Sequence, residues 1–312
     1  MNKNKKIFLT GHNGLVGSAT LRQFKKLGYK NIITINKNKL DLRDQNKVAN
    51  FLKKKKPEVV IIVAAKVGGI KENKKKSAEF IYDNLQIQNN LIHQSFLNGI
   101  KDLIFLGSSC VYPKFARQPI KEKYLLSSEL EKTNEAYAIA KISGVKMCEF
   151  YNQQYGTNYK SLMPCNTFGP NDNYDFESSH FIAALIRKIY EAKINNRKEI
   201  KIWGNGKTKR ELIFVDDIAD AIIFFVNKKT KESLINIGTQ KDYSIIEYAN
   251  IIMKLLNVKL KIKKINRSLK GTPRKILNIS LAKKLGWNSK TSLVEGLKIT
   301  LNDFKKNYKQ YT

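Results

Sequence analysis

A phenol and an ammonium stand four residues apart in Tyr137-Ala138-Ile139-Ala140-Lys141, a spacing that puts both on one face of a helix. An unperturbed tyrosine titrates at ~10, too high for ready exchange at neutral pH, and a fixed cation beside it stabilises the phenolate. The pair makes Tyr137 a candidate acid or base with Lys141 as its electrostatic partner. Upstream, Leu106-Gly107-Ser108-Ser109-Cys110-Val111-Tyr112-Pro113 ends the apolar run 103–106, so Ser108 closes a buried strand. A hydroxyl there can cap the strand or hold a substrate oxygen. Cys110 has two readings as well. A cysteine after a strand is ordinarily a small buried hydrophobe, but a thiol, with an ordinary pKa of ~8.5 that falls near cations, can also serve as a base. His180, behind Ser178-Ser179, reads by itself as a residue opening a helix.

Such a set needs a nucleotide held beside it. Thr10-Gly11-His12-Asn13-Gly14-Leu15-Val16-Gly17 lies between the apolar strand 6–10 and the amphipathic stretch 18–27, the setting of a dinucleotide-binding turn. The glycines allow a tight turn, and a helix N-terminus offers free N–H groups to a pyrophosphate. The spacing is GxxGxxG, not GxGxxG. With that turn present, Ser108, Tyr137 and Lys141 read as a hydride-transfer set. Cofactor choice is made at the end of the second strand, where an acid holds a ribose 2′-hydroxyl and a base accepts a 2′-phosphate. Ile35-Asn36-Lys37-Asn38-Lys39 holds no acid before Asp41, which favours NADP(H), with Lys37 as the cation.

The elements around these residues alternate. Strands are predicted at 6–10, 32–35, 59–64, 103–106 and 160–163, separated by helical patterns at 18–27, 48–55, 80–97 and 137–155. The run Val59-Val60-Ile61-Ile62-Val63-Ala64 suits a parallel strand buried on both faces. The expected fold class is therefore α/β, a Rossmann-type doubly wound parallel sheet with a smaller α/β C-terminal substrate lobe. Residues 1–168 are assigned to the NADP-binding domain, with 211–240 returning to it. Residues 169–210 and 241–312 are assigned to the substrate-binding lobe. Within them, helices are predicted around 181–192, 244–256 and 292–305, and strands at 200–203 and 259–265.

Composition narrows the partners. Lys and Arg exceed Asp and Glu by 58 − 26, a net charge of +32. That charge would suit a nucleic-acid binder, but it is carried mostly by lysines spread along the chain, with runs such as 53–56 and 74–76 where helix ends or turns are expected. No dedicated nucleic-acid role follows from it; a basic surface still raises encounter rates with an anionic substrate. No stretch approaches the ~18 apolar residues of a membrane helix, and the apolar run at the basic start is too short for a signal peptide. The three cysteines, Cys110, Cys148 and Cys165, form no framework, and three histidines offer few metal ligands. A cytoplasmic enzyme without a metal is expected, with Cys148 on a core helix face.

Together the motifs resemble the extended short-chain dehydrogenase/reductase family, whose members act on nucleotide-activated sugars. The resemblance runs almost the whole length through GHNGLVGSA, AAKVGGI, FLGSSCVYPK, TNEAYAIAKISG, CEFYNQQYG, GPNDN, SSHFI, WGNGKTKREL, VDDIA, GTPRK and LGW. It implies the branch that epimerises and reduces a GDP-linked 4-keto sugar, with GDP-4-keto-6-deoxy-mannose as small-molecule substrate and a homodimer formed through helices of the first lobe. The ketone at C4 acidifies the protons on C3 and C5, so one acid–base pair serves two inversions, and the matching positions are Cys110 and His180. Reduction then uses NADPH, with Tyr137, Ser108 and Lys141 protonating the C4 oxygen. The resemblance places the turn Gly11, His12, Asn13, Gly14, Leu15, Val16 and Gly17 on the cofactor, together with Lys37, Asp41 and Leu42 near adenine. It adds Ala64, Ala65, Leu106, Gly107, Lys141 and His180, and the turn Pro164, Cys165, Asn166 and Thr167 on the nicotinamide side. For the GDP-sugar it implies Lys188, Trp203, Arg210 and Lys270. The chain departs from the pattern at Asn13, Lys37 and Lys188, where an arginine can stand, and at Lys270, where an acid is common. Two competing readings are another nucleotide-sugar epimerase or dehydratase, which would not need Cys110 with His180, and a non-catalytic NADP-sensing or nucleic-acid-binding protein, which would not need Ser108, Tyr137 and Lys141.

Overall fold

Apolar β-branched runs form the centre of the molecule. The computed structural model describes residues 2–265 and 272–311. Along the first part of the chain lie β1 (Ile7–Leu9), α1 (Leu15–Lys26), β2 (Ile32–Ile33), α2 (Gln45–Lys55), β3 (Val59–Ile62), α3 (Ile70–Lys75), α4 (Ser77–Leu97), β4 (Asp102–Leu106), α5 (Glu135–Tyr155) and β5 (Asn158–Pro164). The second part adds β6 (Asn166–Phe168), α6 (Phe181–Ile194), β7 (Glu199–Trp203), β8 (Lys209–Phe214), α7 (Val215–Asn227), β9 (Leu234–Ile237), β10 (Asp242–Ser244), α8 (Ile245–Leu255), β11 (Lys261–Ile265), β12 (Arg274–Lys275), α9 (Ser280–Lys284) and α10 (Leu293–Asn307).

Six strands build one parallel sheet in the order β2-β1-β3-β4-β5-β9. β1 and β3 are buried at every residue, as a sheet covered on both faces requires. Helix α4 packs along α5, and α1 along α7. The chain leaves β1 toward β2 on one side and continues from β3 toward β4 on the other. The strand order thus reverses between β1 and β3, and a crevice opens beyond their carboxyl ends, where ligands of such sheets bind.

A second, smaller sheet has the order β10-β8-β12, with β6 also pairing β8, and β7 pairs β11 beside it. Its core gathers Phe168, Tyr174, Ile186, Phe214, Tyr248, Leu301 and Phe304. Strand β8 serves both cores by alternation: Ile213 faces the first, Leu212 and Phe214 the second. Helix α8 opens with a reciprocal capping box between Ser244 and Glu247, which stops β10 and turns the chain.

Several elements differ from the expected bounds. α2 and α5 begin earlier than their apolar pattern, α2 because Asp44 caps it by accepting from the Lys47 N–H at 3.0 Å. α3 lies in the charged stretch before Ser77, where no helix was predicted. The lysine run 53–56 closes α2, with Lys56 in the left-handed conformation at φ 47°. Among the described residues no helix is long and apolar enough to cross a membrane.

Candidate active site

The turn after β1 is shaped by contacts that only glycine permits. Gly11 has φ +70°, and a Cβ on it would lie 2.8 Å from the Ala64 nitrogen, so the turn rests directly on the end of β3. A Cβ on Gly17 would run into the Gly11 carbonyl, which is how α1 approaches the turn. Gly14 is different: a Cβ there would meet only the Gly11 oxygen at an ordinary 3.5 Å. The protein leaves room at Gly14, as a cradle for a close-lying pyrophosphate would. It is the residue before α1, whose first turn has no side-chain cap and no acid, so its N–H groups point outward with the positive end of the helix dipole. Thr10 fastens the two strand ends together, its Oγ1 accepting from the N–H groups of Val63 and Ala64, both at 3.2 Å.

At the adenosine end, His12, Ile33, Ile35, Asn36, Lys39, Phe51 and Lys55 line an open cleft of ≈ 270 Å³ with cationic but no acidic side chains. Asn13 Nδ2 donates to Asn36 Oδ1 at 3.0 Å and ties the turn to the end of β2. Lys37 is exposed in the same loop. The Arg43 guanidinium beside Asp41 holds its carboxyl down at about 2, with help from Lys37. Arg43 also donates to Asp83 at 3.0 Å, and Asp83 accepts from Lys66 at 3.1 Å. Asp41 is therefore engaged by protein rather than presented to a ribose hydroxyl, which suits a phosphorylated ribose. The Leu42 carbonyl accepts from Asn90 Nδ2 at 3.0 Å. These residues fit NADP(H).

Past β3 in the sheet, the last carbonyl of β4 is taken by a lysine. Lys141 reaches across from α5 and donates to the Leu106 carbonyl at 2.8 Å, with Nζ 4.6 Å from the Phe105 ring centre and 5.9 Å from that of Tyr137. It is buried, and burial pushes its amine down to about 7. Gly107 N–H donates to the Leu162 carbonyl, so β4 and β5 are still paired where the site begins. Ser108 follows in extended conformation, its Oγ accepting from the Cys110 N–H at 3.2 Å. Burial pushes the Tyr137 phenol above its ordinary value, the Cys110 thiol adds to this, and its hydrogen bond with Ser108 pulls it back. The sequence suggested Lys141 as the group that would lower the phenol. In the fold the ammonium is directed at Leu106, and Ser108 supplies the opposing effect. A phenol held protonated beside a serine is arranged to donate a proton.

The second sheet contributes the residues around Cys110. Lys275 of β12 lies beside Cys110, Nζ to Sγ 3.9 Å, and pairs in register with Arg210 of β8. Burial lowers the Arg210 guanidinium, and Cys110 and Glu131 raise it again, so thiol and guanidinium share one environment. Tyr248 donates to the Arg210 carbonyl at 2.7 Å and packs on Phe181, ring centres 5.7 Å apart. Phe181 opens α6, and His180 is the residue before it. His180 is exposed, yet the protein around it desolvates the imidazole and holds it below its ordinary value. Ser178, two residues back, accepts through its carbonyl from the Gly69 N–H at 3.0 Å, which sets this segment against the loop after β3 that holds Ala64 and Ala65. Lys188 Nζ stands 5.3 Å from the half-exposed Trp203 ring, a flat surface beside a cation. Pro164, Cys165, Asn166 and Thr167 join β5 to β6, with the Cys165 N–H donating to the Ile237 carbonyl at 2.9 Å. Cys148 is fully buried on α5, its thiol pushed up to about 12 by burial. Lys270 lies outside the described residues.

Three residues at the site were not singled out from the sequence. Thr10 and Asn171 act on the phosphate turn, Asn171 by donating to the Asn13 carbonyl at 2.9 Å. Lys275 stood inside the motif GTPRK, but among so many lysines nothing in the sequence separates it from a solvated one.

A family model described as the NAD dependent epimerase/dehydratase family matches residues 7–238. GDP-L-fucose synthase 1 of Arabidopsis thaliana is 45% identical over 305 residues, covering 98% of this chain and 94% of that protein. Among solved structures, a GDP-6-OMe-4-keto-L-xylo-heptose reductase from C. jejuni superposes with a TM-score of 0.92 at 36% identity, covering 98% of this chain and 99% of the other. A GDP-L-fucose synthetase from Naegleria fowleri bound to NADP superposes with a TM-score of 0.91 at 27% identity, covering 99% and 95%.

Proposed function

The chain belongs to the NAD dependent epimerase/dehydratase family, and we propose that it converts GDP-4-dehydro-6-deoxy-D-mannose to GDP-L-fucose by inverting C3 and C5 and then reducing C4. The observation that carries this reading is the contact between two kinds of chemistry. Tyr137 and Ser108 form a proton-donating pair, and Cys110, tied to Ser108 through its N–H, stands beside them with a cation at its sulfur. A reductase alone has no use for that thiol.

In this reading Cys110 removes a proton from C3 or C5, leaving the electron pair on the C4 oxygen as an enolate. His180, kept neutral-leaning by its surroundings, shuttles protons at the opposite face. NADPH, when bound, supplies the hydride that reduces C4. Tyr137 gives its proton to the C4 oxygen, and Ser108 holds that oxygen in place. Lys141, anchored on the Leu106 carbonyl, orients the nicotinamide ribose. Arg210, with Lys188 and Trp203 on the adjoining wall, takes the diphosphate and the rest of the GDP group. The names of the relatives support a GDP-sugar as substrate.

Incubation with GDP-4-keto-6-deoxy-mannose and NADPH in deuterated water tests the reading. The expected product is GDP-L-fucose carrying deuterium at C3 and C5. A 4-reduced sugar with C3 and C5 unchanged and unlabelled would show a reductase only.

We further propose a homodimer through α4 and α5, where Tyr82, Leu97, Ile139 and Phe150 are exposed apolar side chains on adjacent helices. Light scattering should return twice the mass of one chain. The three unpaired cysteines fit a reducing compartment such as the cytoplasm.

A further inference from the structure

We propose that Lys275 is the charge partner of the Cys110 thiolate, and that the second sheet is built to deliver it. The proposal rests on the epimerase reading of Cys110 and adds a positioning residue to it. Lys275 Nζ lies 3.9 Å from Cys110 Sγ across 165 residues of sequence. Among the described residues no carboxylate pairs with this ammonium, so its charge is directed at the sulfur.

The backbone on either side of Lys275 is held at every step. Arg274 forks onto the Asp242 carboxylate, with the second contact at 3.1 Å. The Ile276 N–H donates to Gln118 Oε1 at 2.9 Å, and its carbonyl accepts from the Ile120 N–H at 2.8 Å. The Leu277 N–H donates to Glu211 Oε2 at 2.7 Å. Glu211 is buried and also takes the N–H groups of Thr239 and Gln240, which fastens β8, the loop after β9 and the chain after β12 to one carboxylate. Strand pairing then fixes direction: Lys275 is opposite Arg210, and opposite residues of paired strands point to one face. Arg274, one step earlier, points the other way, to Asp242.

Among the described residues, the charged and titratable groups shown to act on Cys110 come from three elements. Lys275 comes from β12, Arg210 from β8 and Tyr137 from α5. One acid, Glu131, acts on Arg210 and is paired to Lys114 at 3.2 Å. Arg210 already donates to the Lys209 carbonyl at 2.8 Å and faces the diphosphate in the proposed reaction. Among the described residues, that leaves Lys275 as the cation in contact with the sulfur. When the thiolate takes a proton from C3 or C5, the S–H bond forms, the C–H bond breaks and its electrons move to the C4 oxygen. Lys275 keeps its own proton throughout.

Alkylation of Cys110 by iodoacetamide, read by mass spectrometry on the full chain, measures the thiolate without any substrate. Cys148 and Cys165 are buried and serve as internal references. Lys275→Met is expected to slow Cys110 alkylation at pH 7 roughly tenfold, as loss of one charge at contact distance in a half-solvated site implies. Deuterium uptake at C3 and C5 should fall by a similar factor, and Lys275→Arg should restore most of both. Unchanged alkylation in folded Lys275→Met overturns the proposal, as does a Lys275→Arg variant as slow as the methionine one. If alkylation behaves as expected but wild-type enzyme exchanges no deuterium, the epimerase reading falls while the Lys275–Cys110 pairing stands.

Discussion

Stability and the proposed catalytic role pull in opposite directions at Lys141. The residue is 3% exposed, and its amine is pushed by burial from 10.5 down to about 7. The unfolded chain therefore holds this proton through the whole range between those values, whereas the folded chain releases it. Where the unfolded state binds more protons, stability rises with pH. This contribution is complete above about 10.5 and is lost as pH falls through about 7. At pH 7 the folded state carries a charge cost of about 4 kcal/mol from this group, and by pH 9 it has dropped to about 2 kcal/mol. Lys141→Met removes the titration. It also leaves the Leu106 carbonyl without its donor, at about 1–3 kcal/mol. The variant is thus expected to be more stable than wild type by about 2 kcal/mol at pH 7, with the gap closing by pH 9. Urea unfolding of both proteins without cofactor, at pH 7, 8 and 9, reads this directly. Lys160, lowered to about 8 by burial, titrates in both proteins and cancels from the difference. A gap that stays constant with pH would refute the reasoning, because it would mean that Lys141 does not release its proton on folding. The same variant should lose NADPH oxidation, so that a more stable protein is the less active one.

Three further outcomes follow from the site. Cys110→Ser should lower deuterium uptake at C3 and C5 by about 10²-fold or more, with NADPH binding by fluorescence unchanged; uptake at the wild-type rate would remove Cys110 as the base. Tyr137→Phe should keep the exchange and slow NADPH oxidation by about 10²–10⁴-fold in single-turnover assays. Gly17→Ala should lower the melting temperature, since its Cβ collides with the Gly11 backbone, whereas Gly14→Ala should fold normally and weaken NADPH alone.

The first half of the fold was legible because its signals are local. Val59-Val60-Ile61-Ile62 can hardly be anything but a strand buried on both faces, and the turn from Gly11 to Gly17 marks where a strand gives way to a helix. Tyr137 and Lys141 share a helix face whatever surrounds them. α3 was not legible, since its charged residues carry no apolar stripe and its start is closed by a local contact, Asn73 Nδ2 donating to the Gly68 carbonyl at 2.8 Å. The direction of Lys141 was not legible either. Four-residue spacing brings it near Tyr137, but only the fold shows that it donates its hydrogen bond to the Leu106 carbonyl.

The two halves of the chemistry thus differ in how they are encoded. Ser108 follows directly on β4, and Tyr137 and Lys141 come from α5, one strand end and its covering helix, and a motif can specify them. The surroundings of Cys110 need β8 and β12 to pair, Glu211 to fasten both to the loop after β9, and Arg210 and Lys275 to emerge on the same face. Each requirement is long-range, and each uses a residue type that is unremarked elsewhere in the chain. A reductase could survive loosening of that second sheet, because hydride transfer and proton donation are set by the first. Proton abstraction from carbon could not, since a thiol without its cation is a poor base at neutral pH. Mutations that loosen the Glu211 anchor should therefore cost epimerisation before they cost reduction, an order that substrate labelling can separate.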